Sequence, residues 1–156
     1  MNILVIEDSR FLRALISKTL TRAGYAVTAV SDGEKGILAA RAEHPSLILL
    51  DMMLPGLDGT SVLRALKEDA VTALIPVVVM SGLSQRNEAR LKQAGAAAYV
   101  EKTLLRLDER ADALIPVVES AIRRSPESGG ITNTDCSLEL SLESGQPKPR
   151  DKENLR

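Results

Sequence analysis

The segment Leu47-Ile48-Leu49-Leu50-Asp51-Met52-Met53-Leu54-Pro55-Gly56-Leu57-Asp58-Gly59 settles the architecture of this chain. Four consecutive aliphatic residues, Leu47 to Leu50, give a strand no polar face. Such a strand belongs inside a parallel sheet with helices over both surfaces. Asp51 ends the run, and Pro55-Gly56 turns the chain. Asp58-Gly59 then opens a helix whose Val62, Leu63 and Leu66 fall on one side.

The same unit recurs on either side. Aliphatic runs at Ile3–Ile6, Ala26–Val30, Pro76–Met80 and Ala98–Val100 join Leu47–Leu50. Their starts are 23, 21, 29 and 22 residues apart, the spacing of successive βα units rather than of hairpins. Between them lie segments of helical period. Ser9 caps a first helix carrying Phe11, Leu12, Leu15, Ile16 and Leu20 and closed by Gly24. Asp32-Gly33 opens a second, with Ile37, Leu38 and Ala40, that stops before Pro45. Ser84 caps a fourth that runs through Ala94 to Gly95. Asp108 caps a fifth that runs to Arg124, and Pro116 in its body predicts a kink or a split. The expected fold is α/β: (βα)5, a doubly wound five-stranded parallel sheet.

Residues 1–124 form the folding unit in this reading. From Ser125 to Arg156 the apolar residues are Ile131, Cys136, Leu138, Leu140, Leu142 and Leu155, too few to offset the entropy of ordering. Residues 125–156 are therefore expected to be a disordered tail. Leu138, Leu140 and Leu142 alternate within it. That pattern suits a mildly apolar stretch of tail or a strand added to a partner's sheet edge.

Composition excludes several function classes. The chain has 156 residues, 44% of them apolar, but its aromatics are only Phe11, Tyr25 and Tyr99. No aromatic platform exists for stacking bases. Twenty basic against twenty-one acidic side chains give a net charge of −1, so there is no basic field for nucleic acid or anionic lipid. A single cysteine, Cys136, excludes an intramolecular disulfide framework and fits a reducing cytosol. The run Ile3–Ile6 stops at Glu7-Asp8, too short for a signal peptide or a membrane span. The expectation is a cytoplasmic protein.

The chemistry sits where the strands end. In open α/β sheets, sites form at the carboxyl edge. Glu7 and Asp8 follow the first run, Asp51 the third, Ser81 the fourth, and Lys102 comes just after the fifth. Taken singly, such residues serve as helix caps, turn residues or solvated charges. Together, three carboxylates at the end of an apolar sheet repel one another unless a cation lies among them. Hard oxygens without His or Cys suit Mg2+. A lysine and a hydroxyl beside them suit an arriving phosphoryl group, with a strand-end aspartate as nucleophile. His44 before Pro45 reads as the end of the second helix.

The chain resembles a response-regulator receiver domain, the phosphoacceptor module of two-component signalling. The resemblance rests on Ile3-Leu4-Val5-Ile6-Glu7-Asp8, the long segment around Asp51, Val77-Val78-Val79-Met80-Ser81-Gly82 and Tyr99-Val100-Glu101-Lys102. It implies a flavodoxin-like sheet of strand order 2-1-3-4-5. It also implies Asp51 as the residue phosphorylated by a histidine kinase or phosphotransfer protein. Asp8 would hold Mg2+ directly, Glu7 would assist, and Asp51 and the Met53 carbonyl would complete the protein's share. Lys102 would pair with the phosphoryl group, Ser81 would be the switch hydroxyl and Tyr99 the switch aromatic.

Two departures stand out. The family usually has proline after the lysine; here Thr103 follows, which predicts a trans peptide and a differently shaped loop. The second is Pro116, in a helix that helps form the family's usual partner and dimer face with the fourth helix and fifth strand. Met53 and Leu83 lie two residues past Asp51 and Ser81, and neither can orient a hydrolytic water, so self-dephosphorylation is expected to be slow. The resulting picture is a stand-alone, chemotaxis-regulator-like receiver that is not an enzyme on external substrates. It would act on a downstream protein target or in a relay, with a possible phosphorylation-dependent homodimer, and bind neither nucleic acid nor membrane. The rival readings are a phosphate-independent interaction module and an aspartyl-phosphate phosphohydrolase.

Overall fold

A computed structural model describes residues 1–82, 88–107 and 111–125. Five strands carry the molecule: β1 Asn2–Ile6, β2 Ala26–Val30, β3 Leu47–Asp51, β4 Val77–Ser81 and β5 Ala98–Glu101. They form one parallel sheet, as the sequence pattern predicts, in the order β2-β1-β3-β4-β5 that the resemblance implies. Every residue of β3 and β4 is buried, which explains why these runs lack polar residues before their last position. Edge strand β2 contains no buried residue.

Helices α1 (Arg10–Arg22), α2 (Gly33–Glu43), α3 (Gly59–Glu68), α4 (Glu88–Gln93), α5 (Lys102–Leu107) and α6 (Leu114–Arg123) fill the connections. Two apolar layers result. Leu12, Ile16 and Leu20 of α1 pack with Leu105, Leu114 and Val118 against Ile3, Val5, Leu47, Leu49, Val78 and Met80. On the opposite surface, Ala40, Val62, Leu63, Leu66 and Leu91 meet Leu4, Ile6, Ile48, Leu50, Val77 and Val79. Strand alternation sends successive side chains to the two layers.

The expected caps are present where they can be seen. Ser9, Asp32 and Asp58 accept hydrogen bonds from the backbone N–H of Leu12, Lys35 and Ser61 at 3.4, 2.9 and 2.8 Å. His44 closes α2 in the left-handed region at φ 46°. Gly59 brings the start of α3 against the end of β3: a methyl group there would lie 2.4 Å from Met52 Cα and 2.5 Å from Asp51 O. Ser84, Leu83, Asp108 and the whole of 126–156, including Cys136, Leu138, Leu140 and Leu142, lie outside the described residues.

The last helix differs from expectation. A single helix from Asp108 to Arg124 is replaced by α5, starting directly after β5, and α6, starting at Leu114. Pro116 is therefore the third residue of α6, in the first turn, where its missing N–H has no intrahelical acceptor to lose. It breaks nothing there. Buried Ala111 ahead of it adopts a positive φ of 50°. No described peptide bond is cis, so the chain passes from Lys102 to Thr103 in trans and enters α5 at once.

Candidate functional site

The register of the central strands brings the predicted residues to one edge. Ile6 pairs with Leu50, Asp51 with Met80, and Ser81 with Glu101. Glu7, Asp8, Asp51, Ser81 and Lys102 consequently all follow or end neighbouring strands. Carboxylate oxygens of Glu7, Asp8 and Asp51 lie within 4.8 Å of one another. Glu7 and Asp51 are fully buried, whereas Asp8 is exposed and opens the cluster to solvent.

Lys102 closes the group from the end of β5. Its Nζ lies 2.9 Å from Glu7 Oε2 and 2.7 Å from Asp51 Oδ2. Beyond that shared ammonium neither oxygen finds a hydrogen-bond donor among the described residues. The other oxygens are better served: Ser9 N–H donates to Glu7 Oε1 at 3.1 Å, and Met53 N–H to Asp51 Oδ1 at 2.9 Å. Arg13 Nη1 donates to the Glu7 carbonyl at 2.7 Å and the Asp8 carbonyl at 3.2 Å, tying the β1–α1 turn to α1.

Electrostatics follow from this crowding. Burial pushes the Glu7 carboxyl from an ordinary 4.5 up to about 7; the Asp51 charge adds to that rise and Lys102 opposes it. Three clustered acids face one ammonium, which pairs with Glu7 and Asp51; with all four ionised the imbalance is two negative charges. Buried oxygens with no donor of their own, all of them hard ligands, fit a small divalent cation such as Mg2+.

Ser81 is almost fully buried at the end of β4. Tyr99 is half-buried on β5 and belongs with the apolar layer of α3 and α4. Because Val79 pairs with Tyr99, Ser81 stands two residues beyond that pairing on the same face of the sheet. Tyr99 also lines a cavity of about 350 Å3 with Lys92, Pro116, Val117 and Arg124. Met53 is 66% exposed beside the acids. Arg13 is the contributor that sequence reasoning missed: its role lies in carbonyl contacts across one helical turn, which residue type does not signal.

The family model for the response regulator receiver domain matches residues 3–112. The CseB transcriptional regulatory protein of Streptomyces coelicolor is 33% identical over 135 residues, which cover 86% of this chain and 54% of that protein. The transcriptional activator PfeR of Pseudomonas aeruginosa is 39% identical over 116 residues, 72% of this chain and 37% of its own length. The chain thus spans about half the length, or less, of these curated relatives. Among solved structures, a Francisella response-regulator receiver domain has a TM-score of 0.70 at 26% identity, covering 79% of this chain and 97% of its own. The receiver domain of a sensor histidine kinase from Pseudomonas aeruginosa, with a magnesium ion coordinated in its active site cleft, has a TM-score of 0.69 at 26% identity. It covers 78% of this chain and 97% of its own.

Proposed function

Because the chain belongs to the response regulator receiver family, we propose that Asp51 accepts a phosphoryl group from a histidine of a partner kinase or phosphotransfer protein. One observation carries this reading: the Lys102 ammonium bridges buried Glu7 and Asp51 inside an acidic cluster that opens at Asp8. An Asp51 oxygen attacks phosphorus; the new P–O bond forms as the P–N bond breaks, and the imidazole leaves with the electron pair. Lys102 lies where it can neutralise the phosphoryl oxygens. Glu7, Asp8, Asp51 and the Met53 carbonyl are the residues that would hold Mg2+. The ion would supply charge neutralisation at the phosphoryl group.

Phosphorylation adds roughly 1.5 to 2 negative charges at one fixed point. In this reading the Ser81 hydroxyl moves to donate to the phosphoryl oxygens and Tyr99 turns inward behind it. Residues 1–124 are the receiver, 125–156 its tail, and the setting is the cytoplasm. The signal leaves by protein contact or onward transfer, since a net charge of −1 offers no basic field to DNA. The face holding Tyr99, α4 and α6 is the place for a partner or a second copy. Exposed Met53 stands where phosphohydrolases of this chemistry carry a second acid, which speaks against turnover of external esters.

The test is incubation with acetyl phosphate and Mg2+, followed by electrophoresis in a phosphate-affinity gel. A retarded band is expected for the wild type and not for Asp51→Asn. An unshifted wild type, or a shift that persists in Asp51→Asn, overturns the assignment.

A further inference from the structure

A second cavity, of about 360 Å3, opens beside the acidic site between α3, α4 and the end of β4. Met52, Met53, Leu91 and Ala94 give it an apolar lining, and Arg64 and Arg90 stand along it as exposed cations. Neither arginine has a carboxylate within ion-pair distance among the described residues. Asp58 is the acid near Arg64, but its carboxylate accepts the Ser61 N–H at 2.8 Å as the cap of α3. Apolar lining with two available cations describes the complement of an acidic, aliphatic segment.

The chain contains one. Ser137-Leu138-Glu139-Leu140-Ser141-Leu142-Glu143 alternates leucine with polar or acidic residues. Residues 126–147 around it carry Glu127, Asp135, Glu139 and Glu143 with no lysine or arginine. We propose that the cavity is the docking site of this chain's own segment Ser137–Glu143. Its leucines lie among Met52, Met53, Leu91 and Ala94, and Glu139 and Glu143 face Arg64 and Arg90.

Geometry permits the contact in cis. Thirteen residues lead from Ser125 to Leu138, a reach of about 45 Å when extended. A domain of this size has a radius of gyration of roughly 14 Å, so most of its surface lies within that reach. Tethering also holds the segment at an effective concentration on the order of millimolar, so a weak contact is populated. Occupancy covers Met52 and Met53, the residues that follow Asp51, and therefore couples the tail to the acidic site. This inference does not depend on phosphorylation of Asp51.

The sequence supplies the probes. Cys136 is the single cysteine, and the four methionines are Met1, Met52, Met53 and Met80. The experiment attaches a nitroxide to Cys136 of the full chain, enriches the methionine methyls in 13C and compares intensities before and after reduction of the radical. Met52 and Met53 are expected to lose most of their signal while Met1 keeps most of its own. Arg64→Glu with Arg90→Glu should restore the signal, and adding Glu139→Arg with Glu143→Arg should remove it again. With the radical reduced, an unchanged chemical shift of the buried Met80 methyl verifies that each variant is folded. Unaffected Met52 and Met53, equal loss at Met1, or loss indifferent to the charge reversals overturns the proposal. Loss seen only between a spin-labelled copy and a separate isotope-enriched copy also overturns it, in favour of a second molecule.

Discussion

Replacing Lys102 with methionine tests the electrostatic account of the site directly. The substitution keeps most of the aliphatic bulk and removes the ammonium that sits 2.9 Å from Glu7 Oε2 and 2.7 Å from Asp51 Oδ2. Removing one partner of a buried ion pair costs on the order of 3–5 kcal/mol when the remaining charge stays ionised. Here relief is available, because Glu7 already titrates near 7 in the folded protein and at 4.5 when exposed. A carboxyl whose pKa is raised by folding contributes stability that is fully present below 4.5 and lost as pH rises through 7. Without Lys102 that upper limit moves higher still. At pH 8 in EDTA, Lys102→Met should therefore lose roughly 3–5 kcal/mol against wild type. At pH 5.5 Glu7 is protonated and can itself donate towards Asp51, so the deficit should shrink to about 2 kcal/mol, the value of a lost hydrogen bond to a charged group. Urea unfolding at the two pH values, monitored by circular dichroism, measures both numbers. Glu7→Gln in the Lys102→Met background should abolish the difference between them. A deficit of the same size at both pH values would falsify the argument that two unpaired carboxylates cause it.

Gly59→Ala pushes a methyl group to 2.4 Å from Met52 Cα, where only backbone can give way. Thermal unfolding should show destabilisation of about 1–3 kcal/mol, and displacement of Met52–Met53 should slow acetyl-phosphate labelling as well. Thr72→Val removes the buried hydroxyl that donates to the Leu66 carbonyl at 2.8 Å and should cost about 1 kcal/mol in urea unfolding without touching labelling. Met53→Asn, with Leu83→Asn, introduces polar amides two residues past Asp51 and Ser81. The radiolabelled phosphoprotein should then lose its phosphate faster than wild type, and an unchanged decay rate would refute the expectation that apolar residues at these positions slow hydrolysis.

Much of this was legible in the sequence, for identifiable reasons. Strands β1, β3 and β4 consist of aliphatic runs bounded by acids or serine, and the rule that sites form at carboxyl strand edges locates Glu7, Asp8, Asp51, Ser81 and Lys102 without coordinates. Helix starts at Ser9, Asp32 and Asp58 were readable because each cap is a local side-chain contact over three residues. The C-terminal third behaved differently. Leu105, Leu114 and Val118 all contribute to one buried layer, yet two helices rather than one present them. Residue period does not reveal that break, since it lies in the positive φ of Ala111 rather than at Pro116. The proline was a true signal read at the wrong place: it marks a first turn as well as it marks a kink.

The raised Glu7 pKa connects stability to the proposed role. With all four groups ionised, Glu7, Asp8, Asp51 and Lys102 sum to two negative charges at the end of a buried sheet, and the fold relieves this by favouring protonated Glu7 near neutrality. A divalent cation brings the same cluster to zero and makes proton uptake unnecessary. Phosphorylation of Asp51 would then replace a charge of −1 by one of roughly −2 and leave an excess of about one negative charge. Only Lys102 among the described residues faces that excess directly as a cation, since Arg13 is engaged with the Glu7 and Asp8 carbonyls. Further compensation must come from neutral donors that can move, which is the chemistry that Ser81, at the end of the adjacent strand, can supply. A site that alternates between minus two, zero and minus one cannot be electrostatically indifferent in all three states. That imbalance, built into an otherwise apolar edge, would be the physical basis of the switch proposed for this position.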